Sequence, residues 1–153
     1  MSASQNTPPR IIVGVDGSPP SVAALRWAVR QAELTGGRID AVIAWEFQLV
    51  ASGFGWAPNK AFDDTECTEL ALKTLNSAIG DVNPPPSVPV TQVVMEGNPA
   101  QVLRSAAKDA DLLVVGSGGH SAFVDALIGS VSVRCLHHAT CPVVVVRTSQ
   151  RDS

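Results

Sequence analysis

Charge is scarce in this sequence. Charged residues make up 16% of the 153 positions, against roughly 25% in typical soluble domains. Eleven basic side chains stand against fourteen acidic ones, for a net charge of -3. No Lys/Arg cluster occurs anywhere, so the concentrated basic face of a nucleic-acid binder is missing and no nucleic-acid partner is expected. Disorder does not follow from the low charge. It needs low hydrophobicity together with high charge, and here 45% of the residues are hydrophobic. Long apolar runs are absent as well: none approaches the roughly 18 residues that suggest a transmembrane helix, so no membrane partner is expected. Residues 1–10 are polar and contain proline, with no apolar stretch of the secretory kind. Cysteine is sparse and odd in number, with three in all. A chain this long buries roughly 70% of its unfolded surface and needs no disulfide or metal staple. Reduced thiols and a cytoplasmic location are therefore expected.

Two nucleotide signatures are also lacking. No Gly-x4-Gly-Lys-[Ser/Thr] run exists, which excludes a P-loop NTPase. The dinucleotide fingerprint Gly-x-Gly-x2-Gly fails at both glycine loops, because position 121 is serine and the first loop reads Gly14-x-Asp16. A flavodoxin-like receiver would need several acids at its strand ends and a lysine after strand five. Asp16 stands nearly alone here, and no such lysine is present.

What the chain does contain is a regular alternation of apolar runs and helical segments. Residues 11–15 form a short β-branched run. Ser18 then offers an N-cap, with Pro19 at the first helical position. Leu25, Ala28, Val29 and Ala32 make one apolar helical face, stopped by Gly36-Gly37. A second strand covers 39–45, and a long connection, 46–59, follows with Gly53, Gly55 and Pro58. A helix is expected over about 61–79, with Cys67, Leu70, Ala71, Leu75 and Ala78 on one side. Past the prolines at 84–86, residues 88–95 alternate like a strand. Asn98-Pro99 repeats the cap-then-proline signal for a helix to about 110, with Val102, Leu103, Ala106 and Ala107 inward. Residues 112–115 are the fourth strand, a helical stretch runs to about 138, and 143–146 close the chain as the fifth.

Strands separated by helices imply right-handed crossovers and a mostly parallel sheet. The near-continuous apolar strands agree, since a sheet covered on both faces loses alternation. The expectation is a single doubly wound α/β domain over 10–148, between flexible segments 1–9 and 149–153.

In such sheets ligands sit beyond the carboxyl ends of the strands, at the switch point. Two strand ends carry loops suited to close backbone approach: Gly14-Val15-Asp16-Gly17-Ser18 and Gly116-Ser117-Gly118-Gly119-His120. A third glycine site, Gly129-Ser130-Val131-Ser132, interrupts an otherwise helical stretch, where glycine costs about 1 kcal/mol against alanine. A helix restarting at Ser130 would present free N–H groups and the Ser130 and Ser132 hydroxyls to an anion. Each glycine alone is more often a turn or a kink. Their joint placement shifts the balance toward phosphate.

The spacing Gly-x2-Gly-x9-Gly-Ser, met by Gly116, Gly119, Gly129 and Ser130, resembles the ATP-binding motif of the universal stress protein family. The first-strand loop at 14–18 and the ending at 137–147 are similar to that family too, so the likeness spans about 11–147. It implies strand order 3-2-1-4-5, with ATP between the ends of strands one and four. It places Asp16 near the ribose and base, and Ala44 along the adenine. Gly116, Gly119, Gly129, Ser130, Val131 and Ser132 take the positions that hold ribose and phosphates, with Gly14 in the facing loop. Asp16 is the acid that a magnesium ion arriving with ATP would meet. A homodimer through 143–146 is a further implication, and the connection at 46–59, where members vary, inherits nothing.

Several residues carry a second reading. Cys135, His137, His138 and Cys141 invite a metal, yet Cys-x-His-His-x2-Cys is not a familiar zinc spacing. Histidines near a helix's carbonyl end are favoured in any case, so no metal ligand is assigned. His120 is read as a loop residue at a phosphate rather than as an acid or base. Trp45, Phe47, Phe54 and Trp56 crowd the long connection, as a packed loop, a lid or a partner surface. Phosphoryl transfer needs lysine, an arginine finger and magnesium, whereas this motif offers serines and amides. The expectation is an ATP-binding regulator in stress or dormancy adaptation, read by a regulatory protein partner. No catalytic residue is assigned, and hydrolysis is slow or absent. The alternative is a slow ATPase or a cyclic-AMP-binding regulator of the same fold.

Overall fold

The computed structural model describes residues 7–45, 64–117 and 137–147. Its elements are β1 (Arg10–Gly14), α1 (Pro19–Thr35), β2 (Arg38–Trp45), α2 (Asp64–Val82), β3 (Val90–Glu96), α3 (Pro99–Ala106), β4 (Leu112–Gly116) and β5 (Val143–Val146). All four strand pairings are parallel, and the order across the sheet is β3-β2-β1-β4-β5. This is the order that the resemblance implied.

The helices start and stop where short-range chemistry dictates. Ser18 caps α1 from extended backbone, prolines occupy its first turn, and Gly36 closes it in the left-handed region at φ 74°. Asn98 caps α3, its Oδ1 accepting from the N–H groups of Ala100 and Gln101. Two helix ends differ from the sequence reading. Helix α3 stops at Ala106 rather than near 110, because Lys108 and Ala110 donate to the carbonyls three residues back and tighten the chain into turns. Helix α2 continues to Val82, where Asn83 takes a positive φ of 52° and donates to the Ile79 carbonyl. Its expected first residues, 61–63, lie outside the described residues, as do most of the last expected helix and the connection at 46–59. Strand β3 starts at Val90, since Val88 is held in a turn by its bond to the Pro85 carbonyl.

The central strands β2, β1 and β4 are buried on both faces, while β3 and β5 at the edges are only partly covered. One face, with Ile11, Val13, Ile39, Ala41, Ile43 and Trp45, is covered by Ala24, Leu25, Ala28 and Val29 of α1 and by Cys67, Ala71, Leu75 and Ala78 of α2. The other, with Ile12, Val42, Leu113 and Val115, takes Val102, Leu103 and Ala107. At the amino ends of the strands Arg10 ties three strands together. Its Nε meets Asp40 of β2 at 2.9 Å, its N–H donates to the Asp111 carboxylate at 2.8 Å, and its carbonyl accepts from the Asp111 N–H. Helices α1 and α2 lie on one face and α3 on the other. The crossovers therefore diverge between β1 and β4, and the switch point opens at their carboxyl ends.

Candidate functional site

Pairing of Val13 with Val114 puts the chain leaving β1 beside the chain leaving β4. Val15 extends β1 by donating to the Val42 carbonyl at 2.8 Å, and Ser117 extends β4 by donating to Val146 at 2.9 Å. Gly14, Asp16 and Gly116 thus stand on the ends of adjacent strands, in the strand order that the resemblance implied.

The turn carrying Asp16 is built from its own hydrogen bonds. Asp16 Oδ1 accepts from the Ser18 N–H at 2.9 Å and from the Ser18 hydroxyl. The Asp16 N–H donates to Ser21 Oγ at 3.2 Å, and that hydroxyl donates to the Ser18 carbonyl at 2.9 Å. The Ser21 N–H reaches Ser18 Oγ at 3.4 Å, while Val22 N–H takes the Ser18 carbonyl at 3.0 Å. Ser18 and Ser21 are buried and Asp16 is half-buried. Gly17, exposed at the tip, has φ 85°, a conformation that L side chains avoid. The sequence marked Ser18 as a cap. It did not single out Ser21, because a serine in a first helical turn looks the same whether it braces a loop or faces water.

The glycines at the two strand ends have close neighbours on opposite faces of the sheet. A Cβ on Gly14 would lie 2.7 Å from Cδ1 of Leu103 in α3. A Cβ on Gly116 would lie 2.4 Å from the carbonyl oxygen of Pro20 in α1. Gly116 therefore needs glycine for packing, whatever else it meets, whereas at Gly14 the neighbour is the movable end of a side chain. Ala44, half-buried, sits on the α3 face of β2 two residues past the Val42–Gly14 pair, and its register partner is Met95. Gly119, Gly129, Ser130, Val131 and Ser132, with His120, lie outside the described residues.

Trp45 is not part of an aromatic lid: it is 5% exposed and packs in the core under α1 and α2. Phe47, Phe54 and Trp56 lie outside the described residues. His137 and His138 are exposed, their ring centroids 6.3 Å apart, and Cys135 lies outside the described residues. Cys141 is half-buried. Burial raises its thiol pKa above the usual value, its own backbone hydrogen bond works against this, and the Asp111 carboxylate adds to the rise. Beside the Asp16 turn an open groove of about 390 Å³ runs between α1 and α2, lined by Gly17, Val22, Leu70 and Thr74 among others. Leu70, expected on the buried side of α2, lines this groove instead and is half-buried. Among the described residues, no helix is long and apolar enough to cross a membrane.

Known proteins match this architecture along its length. The chain is 36% identical over 139 residues to the universal stress protein Rv2005c of Mycobacterium tuberculosis, covering 91% of this chain and 45% of that one. It thus spans about half the length of the curated relatives it matches. The solved structure of the hypothetical protein MJ0577 superposes with a TM-score of 0.75 at 19% identity, over 93% of this chain and 97% of that one. A universal stress protein solved in complex with cAMP gives a TM-score of 0.64 at 25% identity, over 94% and 100%. The Archaeoglobus fulgidus universal stress protein in complex with dAMP gives 0.60 at 20%, over 91% and 97%. Residues 8–147 match the family described as the universal stress protein family. With the strand order, the switch point and the sequence match in agreement, the chain belongs to the universal stress protein family.

Proposed function

We propose that this chain binds ATP between the ends of β1 and β4 and serves as a nucleotide-responsive regulator in stress or dormancy adaptation. The observation that carries the reading is the juxtaposition of the Asp16 turn with the Gly116 strand end at the switch point of a 3-2-1-4-5 sheet, where ligands of doubly wound folds bind. Small residues suit the site: Gly14, Ala44 and Gly116 leave backbone and little side chain at its edges. Asp16 would meet the ribose and base, Ala44 the adenine. Gly116, Gly119, Gly129, Ser130, Val131 and Ser132 would hold the ribose and phosphates, and any magnesium would arrive beside Asp16.

Binding rather than turnover fits the residues. Efficient phosphoryl transfer is positioning plus charge neutralisation by lysine, arginine and metal. This motif contributes glycines and serines, and Asp16 already spends one carboxylate oxygen on Ser18. A cyclic-AMP-binding regulator is the second reading, favoured by the relative solved with cAMP. Strand β5 supports self-association in the cytoplasm: it is the sheet edge, and all four of its valines stay partly exposed. Pairing with a second copy would satisfy that edge symmetrically, leaving the rest of the surface to a regulatory protein partner.

Mass spectrometry of the natively purified protein tests the reading. One ATP per chain is expected, and retained cyclic AMP would favour the second reading. A protein that carries no nucleotide and shows no calorimetric response to ATP or cyclic AMP would overturn both.

A further inference from the structure

We propose that Gly116 governs nucleotide binding as a positioning residue: its bare Cα seats the Pro20 peptide and so sets where the Asp16 turn stands at the mouth of the crevice. The inference rests on the nucleotide reading above and changes the role that the motif would give this glycine. A Cβ at 116 would lie 2.4 Å from the Pro20 carbonyl oxygen, 2.5 Å from its carbonyl carbon and 2.9 Å from its Cβ. Real Cβ atoms essentially never come inside 3.0 Å. The obstacle here is the backbone of a helix's first turn, which no rotamer change can move. Gly14 differs, because its close neighbour is the end of the Leu103 side chain.

Displacement of Pro20 would not stay local. Pro20 lies inside a hydrogen-bonded unit in which the Ser18 carbonyl accepts from Ser21 Oγ and the Val22 N–H, and Ser21 Oγ accepts from the Asp16 N–H. The Asp16 carboxylate is bound back to Ser18 in turn. Pushing on Pro20 therefore moves Asp16, and small misplacements of binding groups are costly. The Asp16 side of the crevice is where the resemblance puts the ribose and base. A change at 116 acting through this unit must weaken ligands that have no phosphate at all.

Adenosine and ATP are the two probes, titrated calorimetrically into the full chain and into Gly116→Ala. Both affinities should fall by the same factor, about tenfold or more, as expected when a binding group is misplaced. A loss confined to ATP, or no loss for either, overturns the proposal, the first outcome returning Gly116 to direct phosphate contact. Ser21→Ala cuts the same unit without adding atoms and should also lower both affinities in parallel. The double variant should lose less than the product of the single factors, as for coupled sites. If Gly116→Ala does not fold, Ser21→Ala alone decides: unchanged adenosine affinity overturns the idea. Amide spectra of the unliganded Gly116→Ala protein give an independent arm, with shifts expected across residues 16–22 and silence there refuting the seating. Failure of wild type to bind either probe would sink the nucleotide reading, while those spectra would still judge the seating.

Discussion

Replacing Ser18 by alanine removes one oxygen that does two jobs. It caps α1 and it donates to the Asp16 carboxylate. The cap bond, from the Ser21 N–H at 3.4 Å, is long, so its loss belongs at the low end of the capping range, about 0.5 kcal/mol. The bond to Asp16 is charge-assisted and Ser18 is 7% exposed, which argues for about 1.5–3 kcal/mol. Two facts reduce that figure: Asp16 keeps the Ser18 N–H at 2.9 Å, and it is only half-buried, so water can replace the hydroxyl. A net loss of about 1.5–2 kcal/mol follows. For a chain of this size that lowers Tm by roughly 3–8 °C. Urea unfolding followed by circular dichroism should show a lower midpoint with an unchanged slope. Ser18→Asp sharpens the test. Aspartate ordinarily replaces serine at an N-cap without loss, but here it would set a second carboxylate beside Asp16, so this variant should also be destabilised. A Ser18→Asp protein as stable as wild type, or a Ser18→Ala loss below about 0.5 kcal/mol, would refute the reasoning.

Leu75, fully buried under the sheet face that α1 and α2 share, should cost about 2–5 kcal/mol when cut to alanine, measured by the same unfolding experiment. Val144→Lys and Val145→Lys, one on each face of β5, should each weaken the proposed dimer while leaving nucleotide affinity nearly unchanged; light scattering over a wide concentration range and calorimetry check the two halves. ATP at one hundred times its dissociation constant should stabilise the fold by about 2.7 kcal/mol, with a rise in Tm of roughly 5–10 °C. Magnesium-dependent hydrolysis near 1 per second, the low end for kinases, would contradict the binder reading. The Cys141 thiol, whose pKa is raised chiefly by burial, should alkylate more slowly at pH 8 in the native protein than in the urea-unfolded chain. The same shift makes its contribution to stability complete below the unfolded thiol pKa, about 8.5, and diminishing above it; peptide mapping after timed iodoacetamide exposure reads the rates.

Strands were legible because short β-branched runs such as 143–146, too brief for a helix, favour extended backbone. The Ser18-Pro19 and Asn98-Pro99 starts were legible because a cap followed by proline has a single mechanical meaning. Helix ends were harder. Where α3 gives way at Ala106 depends on turns closed by Ser105 and Ala107 carbonyls, and alanines carry no stop signal. Strand order came from family likeness rather than from periodicity, since apolar runs covered on both sides do not say which neighbour they take. At the site, the places of Asp16 and Gly116 could be read, but not why Gly116 must be glycine. A missing Cβ looks alike in sequence whether it makes room for a helix or for a ligand.

That last difficulty with strands gives Arg10 a meaning beyond the energy of an ion pair. When both faces of a sheet are oily, sliding one strand past another by a residue exchanges one greasy contact for another. Alternation, which fixes alignment in half-exposed sheets, then discriminates poorly. Arg10 supplies the missing index mark on the central strand. Its side chain recognises Asp40 on one neighbour, and its peptide group recognises Asp111, 101 positions away, on the approach to the other. Any shifted alignment would strand the half-buried guanidinium or the buried carboxylate, so the correct stagger is selected at the foot of the sheet. The loops at its opposite end inherit their alignment from that choice.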